Sequence, residues 1–345
     1  MALNFNDSTV KSFGRNSVNN SAFNKKCLLH FCGLKTLDKD TLELSSKKIE
    51  NSIAKQEKPV YPLNVKIKDL DGNDVDAVIT VKTESEKGKQ LLLTVNGEIA
   101  AHISFLHTNN KFEIEGLYNM SAYPNNRYKG AGTELLKCAV SESIDKGFGG
   151  EIHLYASQPN GNPYTPIPFY YKNNFNLTGR SLSLEAMTLF SIQNNINVIP
   201  AWTSAEMLLD KAGAKALLEG KRLYQNAELE KIDEKEINGS NCSAYLFQSK
   251  KDGGSCVLIT YNDNFGGLDF VSAEFKEQNG NNGNKHFVIT QIDGGAAEKE
   301  EFRFAMETIE QLRKKYNYGR TTVKNNAVLL RRLKRLGFSE QIDAE

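Results

Sequence analysis

The sequence predicts an α+β protein with mixed sheets, arranged as two copies of one fold. Three observations support this prediction. Between residues 61 and 118, short runs rich in β-branched residues alternate with turn residues, which is typical of antiparallel strands. A glycine-containing turn at 127–132 leads into a helical pattern and then into a further strand. The same order of strands, helix and strand returns between residues 243 and 338.

The composition is that of a folded protein without a strong overall charge. The chain has 345 residues, of which 39% are hydrophobic and 25% are charged, so two domains or one large domain are expected. Its net charge of +1 does not favour nucleic acid or an anionic membrane as a partner. The sequence has neither a membrane-spanning apolar run nor a secretory signal pattern. We therefore expect a cytoplasmic protein that binds neither membranes nor nucleic acid.

The five cysteines predict neither a metal site nor a set of disulfides. Only Cys27 and Cys32 are close in sequence, and no second pair completes a zinc ligand set. Reduced thiols in the cytoplasm are the expectation. Residues 1–58, which contain this pair, are rich in Asn, Ser and Lys and are predicted to form a flexible tail.

The first strands form a predicted antiparallel meander. Asp71-Gly72-Asn73 and Asn96-Gly97 are turn signals, and the second is typical of a tight hairpin. Asn109-Asn110 marks a further turn. The strands predicted between these turns are 63–67, 75–82, 90–95, 99–106 and 112–118.

The stretch Arg127-Tyr128-Lys129-Gly130-Ala131-Gly132 has the features of a phosphate-binding turn. It precedes a predicted helix over 131–146, whose first turn has unsatisfied N–H groups and the positive end of the helix dipole. Glycine lets the backbone approach a ligand closely. Gly147 is a plausible end of this helix, and a strand over 152–156 follows, parallel to the strand before the turn.

Arg127-x-x-Gly130-x-Gly132 resembles the acetyl-CoA signature of the GNAT superfamily of N-acetyltransferases. The segment 169–175 resembles the second recognisable stretch of this family, a short helix that ends in Tyr-x-x-x-Gly-Phe. Tyr170 and Phe175 stand at its Tyr and Phe positions, whereas Asn174 replaces the glycine. Asn tolerates the left-handed conformation that such a cap needs, so the replacement is mild. The resemblance implies the GNAT fold for residues 59–190.

The resemblance also implies a set of cofactor-binding residues. Backbone amides of 128–132 would face the pyrophosphate of acetyl-CoA, and the strand end near 122–123 would pair with the pantetheine arm. The residues implied for the cofactor are Ala122, Tyr123, Arg127, Tyr128, Lys129, Gly130, Ala131, Gly132 and Thr133.

Three residues are candidates for catalysis. Glu113 and Glu115 share one face of their strand because strand side chains alternate, and either is a candidate general base, with Glu115 nearest the family position. A solvated strand face carrying two glutamates is the alternative. The resemblance implies that Tyr170 protonates the coenzyme A thiolate, although an aromatic residue that only packs on the sheet is also consistent with the sequence. His153 is a structural residue or faces the substrate.

The second half of the sequence predicts a degenerate copy of the first domain. Thr203-Ser204-Ala205-Glu206 has capping-box spacing and predicts a helix through Ala216, so 191–238 is expected to be a helical linker. Strands at 243–248, 255–261, 268–275 and 286–292, a helix, a short strand and a helix ending in Leu336-Gly337-Phe338 resemble a second GNAT-like domain over 239–345. Asp293-Gly294-Gly295 and the residues after it lack the signature, and Leu333 stands at the tyrosine position.

The expected function is that of an acetyl-CoA-dependent N-acetyltransferase, with acetyl-CoA as co-substrate, a single catalytic copy and no metal. The alternative is a non-catalytic module of the same fold that binds acyl-CoA or another protein. The acceptor amine, on a small molecule or on a protein, is left open, as is the choice between monomer and homodimer. The basic run over 313–335 is expected to be a charged outer helix face rather than a surface for RNA.

Overall fold

The computed structural model describes most of the chain from residue 59 onwards. The described residues are 59–120, 127–157, 164–179, 181–199, 203–226, 228–249, 253–262, 268–279, 284–294, 299–319, 321–324 and 326–335. All of them belong to the compact unit Ser52–Glu345. The predicted tail, Ala122 and Tyr123 lie outside the described residues.

The predicted meander is confirmed as five antiparallel strands. Asn96 and Gly97 take positive φ angles of 51° and 84°, as a tight hairpin turn requires. The strands are β1 Leu63–Asp69, β2 Asp74–Glu84, β3 Gly88–Val95, β4 Glu98–His107 and β5 Phe112–Asn119.

A helix then crosses to a parallel strand. Strand β6 (Tyr128–Lys129) pairs with β1 and leads into helix α1 (Ala131–Asp145). Strand β7 (Ile152–Ala156) lies parallel to β5, as predicted. Gly147, predicted to end this helix, follows α1 in the left-handed conformation with a φ of 86°.

The remaining elements of the first half are α2 Ile167–Lys172, β8 Asn176–Leu177, α3 Leu182–Gln193, β9 Ala205–Leu209 and α4 Lys211–Leu218. They complete a nine-stranded sheet in the order β6-β1-β2-β3-β4-β5-β7-β9-β8. Helix α1 covers one face of this sheet, where Leu135, Leu136 and Ala139 are fully buried.

The second half repeats this order of elements. Five antiparallel strands lead through a helix into a strand parallel to the fifth, and a second helix follows. The six strands pair in chain order. The elements are β10 Leu229–Ile237, β11 Ser240–Gln248, β12 Gly254–Asn262, β13 Leu268–Asn279, β14 Lys285–Asp293, α5 Lys299–Lys315, β15 Thr321–Val323 and α6 Ala327–Arg335.

A shared β-bulge aligns the two copies residue by residue. In the first copy, the register of β4 with β5 leaves Glu115 as an extra residue of β5. In the second copy, the register of β13 with β14 leaves Thr290 as an extra residue of β14. In both copies the parallel strand pairs with the residues just before the bulge, Ile114 and Ile289. The predicted fold class, an α+β fold with mixed sheets in two copies, is confirmed.

The prediction of a helix opening at Thr203 is wrong. Ala205–Leu209 is strand β9, in which Met207 and Leu209 are buried and Leu208 between them is half-buried. The helix begins after Asp210, whose carboxylate accepts a hydrogen bond from the Gly213 amide at 2.7 Å. Pairing inside the sheet decides the conformation of such a short apolar segment, whatever its local helical signals.

The predicted helical linker over 191–238 is also wrong for Leu229–Ile237, which is strand β10. Its lysines and glutamates have good helix propensity, but charged residues are also common on edge strands, where they oppose aggregation. Asn238-Gly239, with φ angles of 52° and 80°, forms the hairpin to β11 and was the available signal. The domain limits 59–190, 191–238 and 239–345 stay predictions.

Helix α3 joins the two copies. In the chain it lies between β8 and β9 of the first sheet, and it packs against β12 and β13 of the second sheet. As a result Phe247, Cys256 and Leu258 of the second sheet are buried in the same core as the first half. The other face of the second sheet packs on α5 and forms a separate core. None of the described helices has the length and apolar character needed to cross a membrane.

Candidate functional site

A gap between β5 and β7 lies at the centre of the candidate site. The two strands pair only at Glu113↔His153 and Ile114↔Leu154, immediately before the bulge at Glu115. Over residues 116–118, β5 therefore has β4 on one side and no registered strand on the other among the described residues. Such an edge can pair with an extended ligand as an added strand.

The beginning of α1 lies beyond the end of β5. Its N-cap is Gly130, which has a φ of +92° and, as glycine, no side chain that could cap the helix. Among the described residues, no group accepts a hydrogen bond from the N–H groups of Ala131, Gly132 or Thr133, and the helix dipole favours an anion there.

Gly132 is needed for a different reason than Gly130. A Cβ at position 132 would lie 2.9 Å from Cζ of Phe169 in α2, and 3.7 Å from the side chain of Leu117 in β5. Glycine thus lets α2 approach the first turn of α1 closely. Helix α1, helix α2 and the free edge of β5 consequently meet at this point.

Asn173 connects the elements around the first turn. Its Oδ1 accepts hydrogen bonds from the Thr133 hydroxyl at 3.1 Å and from the Arg222 guanidinium at 3.2 Å. Its amide nitrogen donates to the Phe169 carbonyl at 2.8 Å. The predicted ligand Thr133 is therefore held by the end of α2 and by the segment that follows α4.

The predicted cations near the signature have separate partners. The Arg127 guanidinium forms an exposed ion pair with Glu98 at 3.2 Å. The Lys129 ammonium donates to the Leu70 carbonyl at 3.4 Å. Tyr128 and Lys129 form strand β6, so their backbone pairs with β1.

Tyr170 is buried on α2, with a relative exposure of 7%. Its ring packs edge-on against Phe169 and Phe175, at centroid distances of 5.2 and 5.5 Å. Burial, and after it the neighbouring Tyr118 phenol, raises the pKa of Tyr170 above its usual value. The hydroxyl therefore keeps its proton at neutral pH and can donate it to a stronger base.

Glu113 and Glu115 lie on the sheet face away from α1, because the residues that alternate with them, Phe112 and Ile114, point into the core. Glu113 is half-buried, forms an ion pair with Lys111 at 3.2 Å, and stands beside His153 in register. Glu115 is the exposed bulge residue. Both candidates for the base remain.

His153 pairs with a residue of its own segment. Its Nε2 lies 3.3 Å from a carboxylate oxygen of Glu151. Both of the readings proposed for this histidine stay open.

Asn174 takes the left-handed conformation that its sequence position predicts, with a φ of 69°. It also does what glycine cannot. Its amide nitrogen donates to the Lys221 carbonyl at 2.9 Å, and its Oδ1 accepts from the Leu223 amide at 2.8 Å. The asparagine thus fixes the end of α2 to the segment after α4.

Sequence reasoning missed Tyr118, which lies at the gap. Its ring stacks on His102 at a centroid distance of 4.8 Å and covers Gly116, where a Cβ would lie 2.5 Å from the ring. An isolated glycine inside a strand pattern indicates a bulge or a close approach, so Gly116 was the available signal.

The second copy differs at the equivalent place. The Arg332 guanidinium of α6 donates to the Ile292 carbonyl at 2.7 Å and also to the Gly294 carbonyl. Both carbonyls lie beyond the bulge of β14, on the stretch that corresponds to the end of β5. Leu333, at the tyrosine position, is buried in the second core.

Comparison with known proteins finds similarity among solved structures only. No protein-family profile matches the sequence, and no curated protein sequence matches it. Among solved structures, the chain is similar to the PaiA N-acetyltransferase from Thermoplasma acidophilum in complex with coenzyme A. The identity is 24% and the TM-score 0.23, over 35% of this chain and 60% of that one.

Two further similarities concern another N-acetyltransferase and a tandem protein. The ribosomal-protein-S18-alanine N-acetyltransferase from Escherichia coli is 16% identical, with a TM-score of 0.25 over 36% of this chain and 70% of that one. A tandem GNAT protein of the clavulanic acid biosynthesis pathway is 10% identical, with a TM-score of 0.20 over 72% of this chain and 78% of that one.

Proposed function

We propose that this chain is an acetyl-CoA-dependent N-acetyltransferase that transfers an acetyl group directly to a primary amine of a small molecule or protein. The observation that carries the proposal is the gap between β5 and β7, which opens beside the N-terminus of α1 and beside the buried Tyr170, a neighbour of Tyr118 at the end of β5. An extended ligand with an anionic middle and a reactive end fits these three features together.

The residues around the gap fit coenzyme A. Amides of Ala131, Gly132 and Thr133 would hold the pyrophosphate, and the free edge of β5 at 116–118 would pair with the pantetheine arm. The fit rests on these three amides, for which no acceptor lies among the described residues. When bound, acetyl-CoA supplies the thioester that is the acyl donor.

The protein's own groups would move two protons. Glu115, or Glu113, accepts a proton at a carboxylate oxygen from the ammonium of the acceptor, which leaves the amine nitrogen free to attack. Tyr170 donates its hydroxyl proton to the departing sulfur. Its place on α2, next to Phe169, whose ring contacts Gly132 at the first turn of α1, supports this role.

Transfer without a covalent acyl-enzyme agrees with the state of the described cysteines. Burial raises the pKa of Cys138 to about 12, and burial followed by the nearby Glu301 raises that of Cys242 to about 11. The pKa of the fully buried Cys256 is raised as well, by burial first and by Glu274 second. None of these thiols is a ready nucleophile, because the thiolate is the reactive form.

The second copy would be a supporting half without catalysis. Helix α3 packs on the face of the second sheet that corresponds to the face carrying Glu115 in the first. Arg332 also binds carbonyls at the end of β14, where a cofactor arm would have to pair. We therefore expect a single site per chain, in a cytoplasmic protein without a nucleic-acid partner.

Titration calorimetry of the full chain with coenzyme A, followed by a panel of amines assayed for thiol release from acetyl-CoA, tests this function. The expected result is a stoichiometry near one, together with acetylation of at least one amine class. Binding without transfer to any amine would favour the alternative, a non-catalytic acyl-CoA-binding or protein-interaction module. An absence of binding would refute both the acetyltransferase and the acyl-CoA-binding module, and would leave the protein-interaction module as the alternative.

A further inference from the structure

A basic cavity of about 260 Å³ lies beside the first two turns of α1. Strand β1, helix α1 and the segment after α4 form its walls. This volume far exceeds the roughly 30 Å³ that one water molecule occupies in the liquid, so a larger anion can enter. Six cationic side chains line the cavity: Lys66, Lys68, Lys129, Lys137, Lys221 and Arg222.

The positive charges of the cavity outnumber the negative charges of the nearby carboxylates. Three of the cations form ion pairs: Lys68 with Asp74, Lys137 with Glu134 at 2.8 Å and Lys221 with Glu219 at 2.7 Å. Lys66, Lys129 and Arg222 have no carboxylate partner among the described residues. A concave site with this excess suits a doubly charged anion such as a phosphate monoester.

The cavity lies across α1 from the gap between β5 and β7. Gly130, Glu134 and Lys137 line it and share one flank of the helix. A helix turns by about 100° per residue, so position 132 points to nearly the opposite side. There it faces Phe169 and, on β5, Leu117. The N-terminus of α1 therefore lies between the gap and the cavity.

We propose that this cavity binds the 3′-phosphate of the coenzyme A nucleotide. The inference rests on the proposed function, because it assumes that the thiol end enters the gap and that the pyrophosphate lies at the first turn of α1. The nucleotide end then continues to the far flank of α1, where its 3′-phosphate is the remaining dianion. Lys66 of β1 and Lys221 after α4 stand outside the signature sequence and would contact this phosphate.

Calorimetry with coenzyme A and 3′-dephospho-coenzyme A on the full chain tests the proposal. The wild-type protein should bind coenzyme A at least about tenfold more tightly, and added salt should reduce that preference because it screens the charges. The double variant Lys66→Ala/Lys221→Ala should lose most of the preference and bind 3′-dephospho-coenzyme A as the wild type does.

The control variant is Lys231→Ala/Lys276→Ala, which removes two exposed lysines of the second sheet and should keep the preference. Melting temperatures establish that all variants are folded. Equal affinity of the wild type for both ligands would overturn this inference and leave the proposed function standing. The inference would also be overturned if the double variant lost affinity for both ligands to the same extent. That result would place the pyrophosphate in the cavity. Failure of both ligands to bind would instead refute the proposed function.

Discussion

At the scale of single residues, the two signature glycines have different physical tasks. Gly130 takes a φ of +92°, which residues with a Cβ adopt only at a cost. Gly132 has no such conformation but lies against Phe169, leaving no room for a side chain. The first glycine shapes the turn, whereas the second allows α1 and α2 to approach closely.

Gly132→Ala should weaken both the fold and the binding of coenzyme A. The added methyl would lie 2.9 Å from the Phe169 ring, which must shift together with α2. Overpacking of this kind costs about 1–3 kcal/mol of unfolding free energy, measurable by urea denaturation. Gly179→Ala is the control, because its Cβ meets nothing within 4 Å, and it should change stability by less than about 0.5 kcal/mol. Equal stability of the two variants would contradict this account.

Tyr170→Phe should lower turnover while leaving the affinity for coenzyme A unchanged. The variant keeps the buried ring but removes the proton donor, and loss of a general acid costs about a hundredfold or more in kcat. Steady-state kinetics and calorimetry measure the two quantities. Unchanged kcat would remove Tyr170 from the mechanism.

The neighbouring tyrosine provides the matched control for that experiment. The Tyr171 hydroxyl donates to Glu185 of α3 at 2.7 Å. Tyr171→Phe should therefore lower stability by about 1–3 kcal/mol, because Glu185 loses its partner, and should leave kcat within about twofold.

At the scale of elements, a buried ion pair connects β3 with α1. The Lys89 ammonium lies 2.7 Å from a Glu142 carboxylate oxygen, and their side chains are only 7% and 1% exposed. Glu84 adds a second partner for the lysine at 3.1 Å, and the Tyr61 ring lies 5.4 Å away. Either charge alone would be costly to bury at this position.

Glu142→Met should destabilise the protein by about 3 kcal/mol, because Lys89 keeps only its partly exposed partner Glu84. Adding Lys89→Met should restore much of the loss, since apolar residues of similar volume often replace a buried pair without cost. Glu307→Ala breaks an exposed pair with Lys235 and should cost less than about 1 kcal/mol. Guanidinium denaturation measures all three, and equal losses for Glu142→Met and Glu307→Ala would argue against a buried pair.

The elements that sequence reasoning found are those with strong local signals. The strands of the first meander were bounded by turn residues, and Asn174 in its left-handed conformation followed from its place in a motif. Strands β9 and β10 were missed because their local signals favour a helix, whereas pairing with distant strands fixes them. The gap at Glu115 depends on a bulge, and strand register is not readable from one strand alone.

At the scale of the whole molecule, a buried carboxylate joins the two copies. Glu274 of β13 is 4% exposed and accepts hydrogen bonds from the amide and the hydroxyl of Ser183, both at 2.9 Å. Ser272 donates to the same hydroxyl at 2.8 Å. Glu274 therefore caps the N-terminus of α3 from the other half of the chain. No motif in the sequence indicates this contact, because 91 residues separate its partners.

This carboxylate should make stability depend on pH. Burial is the largest influence on Glu274 and raises its pKa above the ordinary glutamate value of 4.5, against the hydrogen bonds from Ser183, which lower it. A group with a raised pKa in the folded state stabilises the fold fully below its unfolded pKa, and that contribution is lost as the pH rises through the folded value.

Glu274→Gln keeps an acceptor for Ser183 but cannot ionise. The difference between the melting temperature of this variant and that of the wild type should therefore become more positive as the pH rises from about 4 to about 7. Glu277→Gln, at an exposed position of the same strand, should show no such increase. A constant difference for Glu274→Gln across this range would mean that Glu274 does not carry the pH dependence of the junction between the copies.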